Sequence, residues 1–192
     1  MSSASDQEPE SPVIEILEEV YRGHRIRLTR DRVRVVGRPT MERETVRHPG
    51  AVSILPVLDE NRLVLIENFR HTVGRSILEI PAGTLEPDEP PEECAYRELL
   101  EETGYRAKEM SFVRSFYTTP GFTDERMWFF VARELTLETP DRDPGEWMQV
   151  RIVTREDVEE MLEGPHLVDA KTILALQWWQ FGYSGRKEST RR

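Results

Sequence analysis

From Val13 onward, apolar and polar residues alternate in short runs. Ile14 to Tyr21, His24 to Leu28, Arg32 to Val36 and Glu42 to His48 each read as a strand. Together they predict a small antiparallel sheet that buries little apolar area by itself. Such a sheet must pack on the rest of the chain or on a second copy of it. Beyond Pro49-Gly50 the pattern changes. Ala51 to Leu58 and Arg62 to Ile66 are nearly continuous apolar runs on either side of Asp59-Glu60-Asn61, which predicts a hairpin in a buried sheet. Ser76 to Ile80 leads into Pro81-Ala82-Gly83, and a helix is expected from about Pro90 to Thr103. Pro90 and Pro91 suit its first turn, and Gly104 suits the position just past its end. Ser111 to Tyr117, Met127 to Ala132 and Glu146 to Val153 read as further strands. Arg155 to Leu162 is a short helix. Ala170 to Phe181 is a longer one, with Ile173, Leu174, Leu176, Trp178 and Trp179 as its apolar surface.

Bulk properties narrow the partners. The 192 residues suffice for one domain of ordinary size with a small appendage. A composition of 38% hydrophobic and 32% charged residues suits a soluble globular protein, and no apolar run approaches a membrane span. The net charge of −10 argues against nonspecific nucleic-acid binding, which needs a basic surface. It leaves room for a nucleotide ligand, because a divalent cation reverses the local sign. Cys94 is the only cysteine, so an internal disulfide is ruled out and a reducing cytoplasm is the expected compartment. Within a helix, Cys94 reads as a packing residue. Residues 1–12 are polar and acidic, without the basic start or apolar stretch of a signal peptide, and read as a disordered tail. His48, His71 and His166 lack the partner spacing of a zinc site and read as surface or structural residues.

The chemistry concentrates between Gly83 and Tyr105. Here Glu89, Arg97-Glu98, Glu101-Glu102 and Gly104 recur at fixed spacing, Gly-x5-Glu-x7-Arg-Glu-Leu-x-Glu-Glu-x-Gly-Tyr. On a helix, Glu98 and Glu102 lie one turn apart on the same face, and Glu101 sits on the neighbouring edge. An acidic helix face is by default a solvated one. Like charges crowded this closely repel, however, and a cation relieves them. Two or three carboxylates offer the hard oxygen ligands that magnesium takes, with positions left for water and phosphate oxygens. Ala95 and Leu99 can turn toward the core, and Arg97 can pair with Glu89 to hold the preceding loop.

This spacing fills every position of the Nudix box, and the chain resembles the Nudix hydrolases. The likeness to the ADP-ribose pyrophosphatase subgroup extends further. Pro120 follows Tyr105 by fifteen residues in a Thr-Thr-Pro-Gly context. The run from Glu67 through Arg70 to Arg75, then Leu78-Glu-Ile-Pro-Ala-Gly83, is similar too, as are Val20-Tyr-Arg-Gly23 and Ala175-Leu-Gln-Trp178. The resemblance spans about Val13 to Tyr183. It implies an α/β Nudix fold, a mixed β-sheet sandwiched between helices, with a small N-terminal antiparallel β-sheet. The expected organisation is a tail over 1–12, an N-terminal sheet over 13–48 for dimerisation and adenine recognition, a catalytic domain over 49–184 and a charged tail over 185–192.

The resemblance also implies an activity and a site. The activity is hydrolysis of ADP-ribose to AMP and ribose 5-phosphate with magnesium, or manganese in its stead, two or three ions per site. Glu98 and Glu102 are the implied main metal ligands, joined by the backbone carbonyl of Ala82, with Glu101 assisting. Glu146, drawn from a loop after the proline, would bind metal or accept the proton of the attacking water; Asp143 and Glu101 are the alternatives for that proton. Arg97 belongs to the implied catalytic set. Arg70 would bind the diphosphate or terminal ribose. Glu125, in the loop of Pro120, would touch the ribose or a metal-held water. Glu44 would read adenine edges from the N-terminal sheet. Where the family stacks adenine on aromatic residues, this chain offers His24, Arg25 and Arg43, which leaves base preference open. The implied assembly is a homodimer with exchanged N-terminal sheets, and the partner is a small nucleoside diphosphate sugar, with no nucleic acid or membrane. GDP-mannose hydrolysis is the rival activity. A catalytically inactive ADP-ribose-binding domain is the rival class, against which the intact Glu98, Glu101 and Glu102 argue.

Overall fold

The computed structural model describes residues 11–138 and 148–182. Their order is β1 (Val13–Arg22), β2 (Arg27–Arg34), β3 (Met41–Arg47), β4 (Ala51–Pro56), β5 (Arg62–Arg70), β6 (Arg75–Glu79), β7 (Ala82–Thr84), α1 (Pro91–Thr103), β8 (Tyr105–Tyr117), β9 (Arg126–Leu137), β10 (Met148–Thr154), α2 (Arg155–Glu163) and α3 (Ala170–Gly182). The chain divides into two units. One comprises residues up to 49 together with 117–126; the other comprises 50–116 and 127 onward.

In the first unit, β1, β2 and β3 form an antiparallel sheet in that order. Alternation predicts two strands, His24 to Leu28 and Arg32 to Val36. The structure has one continuous strand, and His24 and Arg25 lie in the turn before it, which Gly23 N closes by donating to Ile26 O. The reason is that the residues this strand buries are polar. Thr29 and Asp31 are 1% and 3% exposed, so hydrophobic periodicity breaks where the strand does not. Asp31 accepts hydrogen bonds from Thr29 Oγ1 (2.9 Å) and Thr45 Oγ1 (2.7 Å) and forms an ion pair with Arg47. Burial alone would raise the Asp31 carboxyl; the donors Thr45, Thr29 and Arg47 outweigh it and hold the group below its usual range. On β1, by contrast, Val13, Ile14, Ile16, Val20 and Tyr21 are exposed.

The second unit stacks two sheets. One is four-stranded and mixed, in the order β7-β4-β9-β8, with β4 antiparallel to β7 and parallel to β9. The other is three-stranded and antiparallel, in the order β10-β5-β6. Period-2 alternation divides β4 and β9 between two cores. Val52, Ile54, Phe130 and Ala132 pack with Cys94, Ala95 and Leu99 of α1. Leu55, Phe129 and Val131 pack with Leu63 and Leu65 of β5, Val158 of α2 and Leu176 and Trp179 of α3. Sheets with helices on both sides are the α/β arrangement the sequence implies, though divided into two sheets.

The expected hairpin over Ala51 to Ile66 is not one. β4 and β5 enter different sheets and keep only a single bridge, Val57 to Leu63. Both strands are buried on both faces, so each takes neighbours from elsewhere and the turn becomes a crossing between layers. Of the apolar surface read from the sequence for the last helix, Trp179 lies in this core and Trp178 packs against it. Trp179 is fully buried beneath the Arg155 guanidinium, 4.0 Å above its ring. Trp178 meets Phe129 edge to face at 5.8 Å.

Candidate active site

The helix that carries the box begins and ends as its sequence requires. Pro91 is its first residue, where a missing amide costs nothing. Glu92 and Glu93 sit in the first turn, favoured by the helix dipole. Gly104 closes it with φ 74°, and its amide donates to Leu100 O. Cys94, Ala95 and Leu99 are fully buried and fix the helix on β4 and β9. That anchoring decides which way the carboxylates point.

Glu98 and Glu102 both meet β7. Glu102 is 5% exposed and accepts a hydrogen bond from the Ala82 amide at 2.9 Å. Glu98 presses against Gly83 so closely that a Cβ there would lie 1.8 Å from the Glu98 carboxyl carbon. The space a side chain would fill at residue 83 is thus occupied by a carboxylate.

Arg97 gathers the remaining acids. Its Nε and Nη2 donate to the two oxygens of Glu89 at 2.8 and 2.9 Å, a bidentate pair. Its Nη1 donates to Glu98 at 2.7 Å and Glu101 at 3.1 Å. Glu89 also accepts from the Glu86 amide. Arg97 is the main cause that holds the Glu89 carboxyl at about 2, against burial, and Glu89 in turn raises Arg97 further above its already high value. The arginine therefore ties the loop before the helix to the helix itself. Cys94 Sγ faces Thr84 O and Arg97, and burial pushes its thiol well up, out of thiolate range.

Among the described residues, no three histidine, cysteine, aspartate or glutamate side chains already converge as a metal-holding group. The donor set nonetheless fits a hard divalent cation. Three carboxylates project from one helix, two of them against β7, where Gly83 leaves room for Glu98 and the Ala82 amide holds Glu102, and the neighbouring thiol is kept protonated. The charge that such an ion would balance is at present partly met by Arg97.

The other expected site residues fall in several places. Arg70 ends β5, where Nε donates to one oxygen of Glu79 and Nη2 forms an ion pair with the same oxygen. In the first unit, Glu44 and Arg43 are exposed on β3, opposite Arg30 and Asp31, and His24 is exposed in its turn. Pro120 is exposed in a turn closed by Phe122 N and Thr123 N donating to Thr119 O. Glu125, half-buried, accepts from Thr118 Oγ1 at 2.5 Å and lies 3.8 Å from His48 Nε2. His48, read from the sequence as merely surface or structural, thus stands beside an expected site residue. Asp124 accepts from the His48 amide and pairs with Arg47, joining this loop to β3. Sequence reasoning assigned nothing to Asp31, Arg47 and Asp124; an aspartate at a core-facing strand position was the available signal. Glu146 and its alternative Asp143 lie outside the described residues.

Comparison with known proteins agrees with this anatomy. A family profile described as the NUDIX domain matches residues 47–176. An ADP-ribose pyrophosphatase of Bacillus subtilis (strain 168) is 42% identical over 165 residues, 85% of this chain and 89% of that one. A methanol dehydrogenase activator of Bacillus methanolicus is 37% identical, with the same coverage. A solved structure described as an ADP compounds hydrolase superposes with a TM-score of 0.78, covering 94% of this chain and 99% of that chain; at 24% identity it speaks to the fold. With the box helix seated on β7 and the profile running from the end of β3 into α3, the chain belongs to the Nudix family.

Proposed function

We propose that the protein hydrolyses ADP-ribose to AMP and ribose 5-phosphate with a divalent cation, magnesium or manganese, two or three per site. The observation that carries this is the seating of Glu98 against Gly83 beside Glu102 on Ala82, in a chain similar over most of its length to an ADP-ribose pyrophosphatase. When bound, the cation supplies positive charge against the diphosphate and Lewis acidity toward the attacking water. Glu98 and Glu102 hold it, with Glu101 and the Ala82 carbonyl assisting. Arg97 keeps Glu89 and the loop before the helix in place. Arg70 binds diphosphate oxygens and stabilises charge that develops there. Glu146 accepts the proton of the attacking water, with Asp143 and Glu101 next in line. Glu44, Arg43 and His24 serve the adenine, and Pro120 and Glu125 the ribose.

The test is a panel of ADP-ribose, GDP-mannose, ADP-glucose and NADH with magnesium, products resolved by chromatography. ADP-ribose is expected to give the highest kcat/KM, with AMP and ribose 5-phosphate as products. Preference for GDP-mannose moves the assignment to that sugar nucleotide. Binding of ADP-ribose without turnover of any member makes the chain a sensor.

The assembly belongs to the same reading. The exposed Val13, Ile14, Ile16, Val20 and Tyr21 of β1 support a homodimer in which N-terminal sheets exchange. Sedimentation is expected at twice the chain mass of 22.4 kDa; a monomer at micromolar concentration rules the exchange out. The single, buried Cys94 is in keeping with a reducing cytoplasm as the place of work. No described helix is long and apolar enough to cross a membrane.

A further inference from the structure

Glu79 is the last residue of β6 and is 2% exposed, yet it is a carboxylate. A charge that deep persists only when paired and hydrogen-bonded. Two cations share it. Arg70 Nε donates to Oε2 at 2.9 Å, its Nη2 forms an ion pair with the same oxygen at 2.8 Å, and Lys171 Nζ donates to Oε1 at 2.8 Å. Asn68 Nδ2 reaches Oε2 at 3.4 Å. Lys171 is itself nearly buried and also donates to Asp169 Oδ1 at 2.9 Å. Asp169 Oδ2 accepts from the Thr172 amide and hydroxyl, which caps the start of α3. The Thr172 hydroxyl in turn accepts from the Ile80 amide at 2.8 Å. The four charged groups, Arg70, Glu79, Lys171 and Asp169, are formally neutral together.

This arrangement is asymmetric in a useful way. Arg70 is the most exposed member, with 39% of its side chain in solvent, and only its Nε and Nη2 are held. Among the described residues Nη1 has no protein partner. A guanidinium clamped along one edge presents the other edge at a fixed angle to an anion. The clamp is only as firm as Glu79, whose second oxygen depends on Lys171. Without that ammonium, the buried carboxylate has one cationic partner in place of two, Oε1 loses its donor, and the carboxylate has a reason to rotate. The same helix start also fixes Ile80, two residues ahead of Ala82 on the strand that receives Glu102.

We propose that Lys171 is a positioning residue for hydrolysis: acting through Glu79, it holds the Arg70 guanidinium edge-on to the diphosphate. The inference rests on the reading of Arg70 as a diphosphate contact. A double-mutant cycle on the full chain, with ADP-ribose and magnesium, tests both. Arg70→Ala is expected to lower kcat/KM about a hundredfold, and Lys171→Met about tenfold, with the loss divided between kcat and KM in the same proportion. In the Arg70→Ala background, Lys171→Met is expected to add less than about a twofold loss, because the group it positions is gone. A residue that merely supports the fold would lower activity equally in both backgrounds, so an additive loss overturns the proposal while leaving the Arg70 reading intact. Wild-type activity in Lys171→Met overturns it as well. Wild-type activity in Arg70→Ala overturns the Arg70 reading, and the positioning role with it. Should Lys171→Met fail to fold, Lys171→Gln, which keeps a donor for Glu79 but no charge, enters the same cycle with the same outcomes.

Discussion

Glu98→Gln and Glu102→Gln should each lower turnover of ADP-ribose by about a thousandfold, roughly 4 kcal/mol of transition-state stabilisation. Thermal midpoints should stay within about 4 °C of the parent. The two halves of this expectation have separate causes. The activity falls because an amide oxygen is neutral and a poor ligand for a hard cation. The fold survives because each glutamine still offers an oxygen where one is needed. Glu102 accepts from the Ala82 amide, and a glutamine carbonyl accepts equally well. At residue 98, Arg97 keeps its bidentate pair with Glu89 and its bond to Glu101. Steady-state kinetics over a magnesium series checks the claim, with saturation moving to higher magnesium in both variants. Near-normal turnover in both sinks the metal assignment.

Much of this site is legible in the sequence because it is local. A box of fixed spacing on one helix needs only helical geometry to place Glu98 and Glu102 together, and capping residues to say where the helix lies. The pairing of Arg97 with Glu89, the burial of Ala95 and Leu99, and Gly104 as the helix end are local in the same sense. What fails is long-range. The apolar runs of β4 and β5 signal burial but not partners, and two buried strands joined by a tight turn suggest a hairpin where the chain changes sheets. Thr29 and Asp31 mislead for a related reason. Hydrophobic alternation presumes apolar interiors, whereas here the interior of the strand is a polar cluster completed by Thr45 and Arg47. Lys171 and Glu79 are ninety-two residues apart, and nothing in either neighbourhood announces the other.

Gly83→Ala carries the second large effect, and it separates glycine as a backbone device from glycine as a vacancy. The added methyl carbon would lie 1.8 Å from Cδ, 1.9 Å from Oε1 and 2.3 Å from Cγ of Glu98. Those distances are impossible, so something moves. Gly83 does not adopt a left-handed φ, so alanine costs little in backbone strain there. The obstacle is the end of a flexible side chain, which can swing away by rotation about its χ angles. Stability is therefore expected to change little, with a midpoint within about 4 °C of the parent. Activity should fall by about a hundredfold or more, because a carboxylate displaced by an ångström or more no longer holds its ligand where the reaction needs it. The displaced carboxyl would stay tethered to Arg97 through the bond that now measures 2.7 Å. Because the substitution works through Glu98, Gly83→Ala combined with Glu98→Gln should be scarcely worse than Glu98→Gln alone. Measured kcat/KM and melting for the three variants decide it. A large loss of stability would mean that β7 yields in place of Glu98. Wild-type activity would mean that the Glu98 carboxylate has no need of the space it now fills.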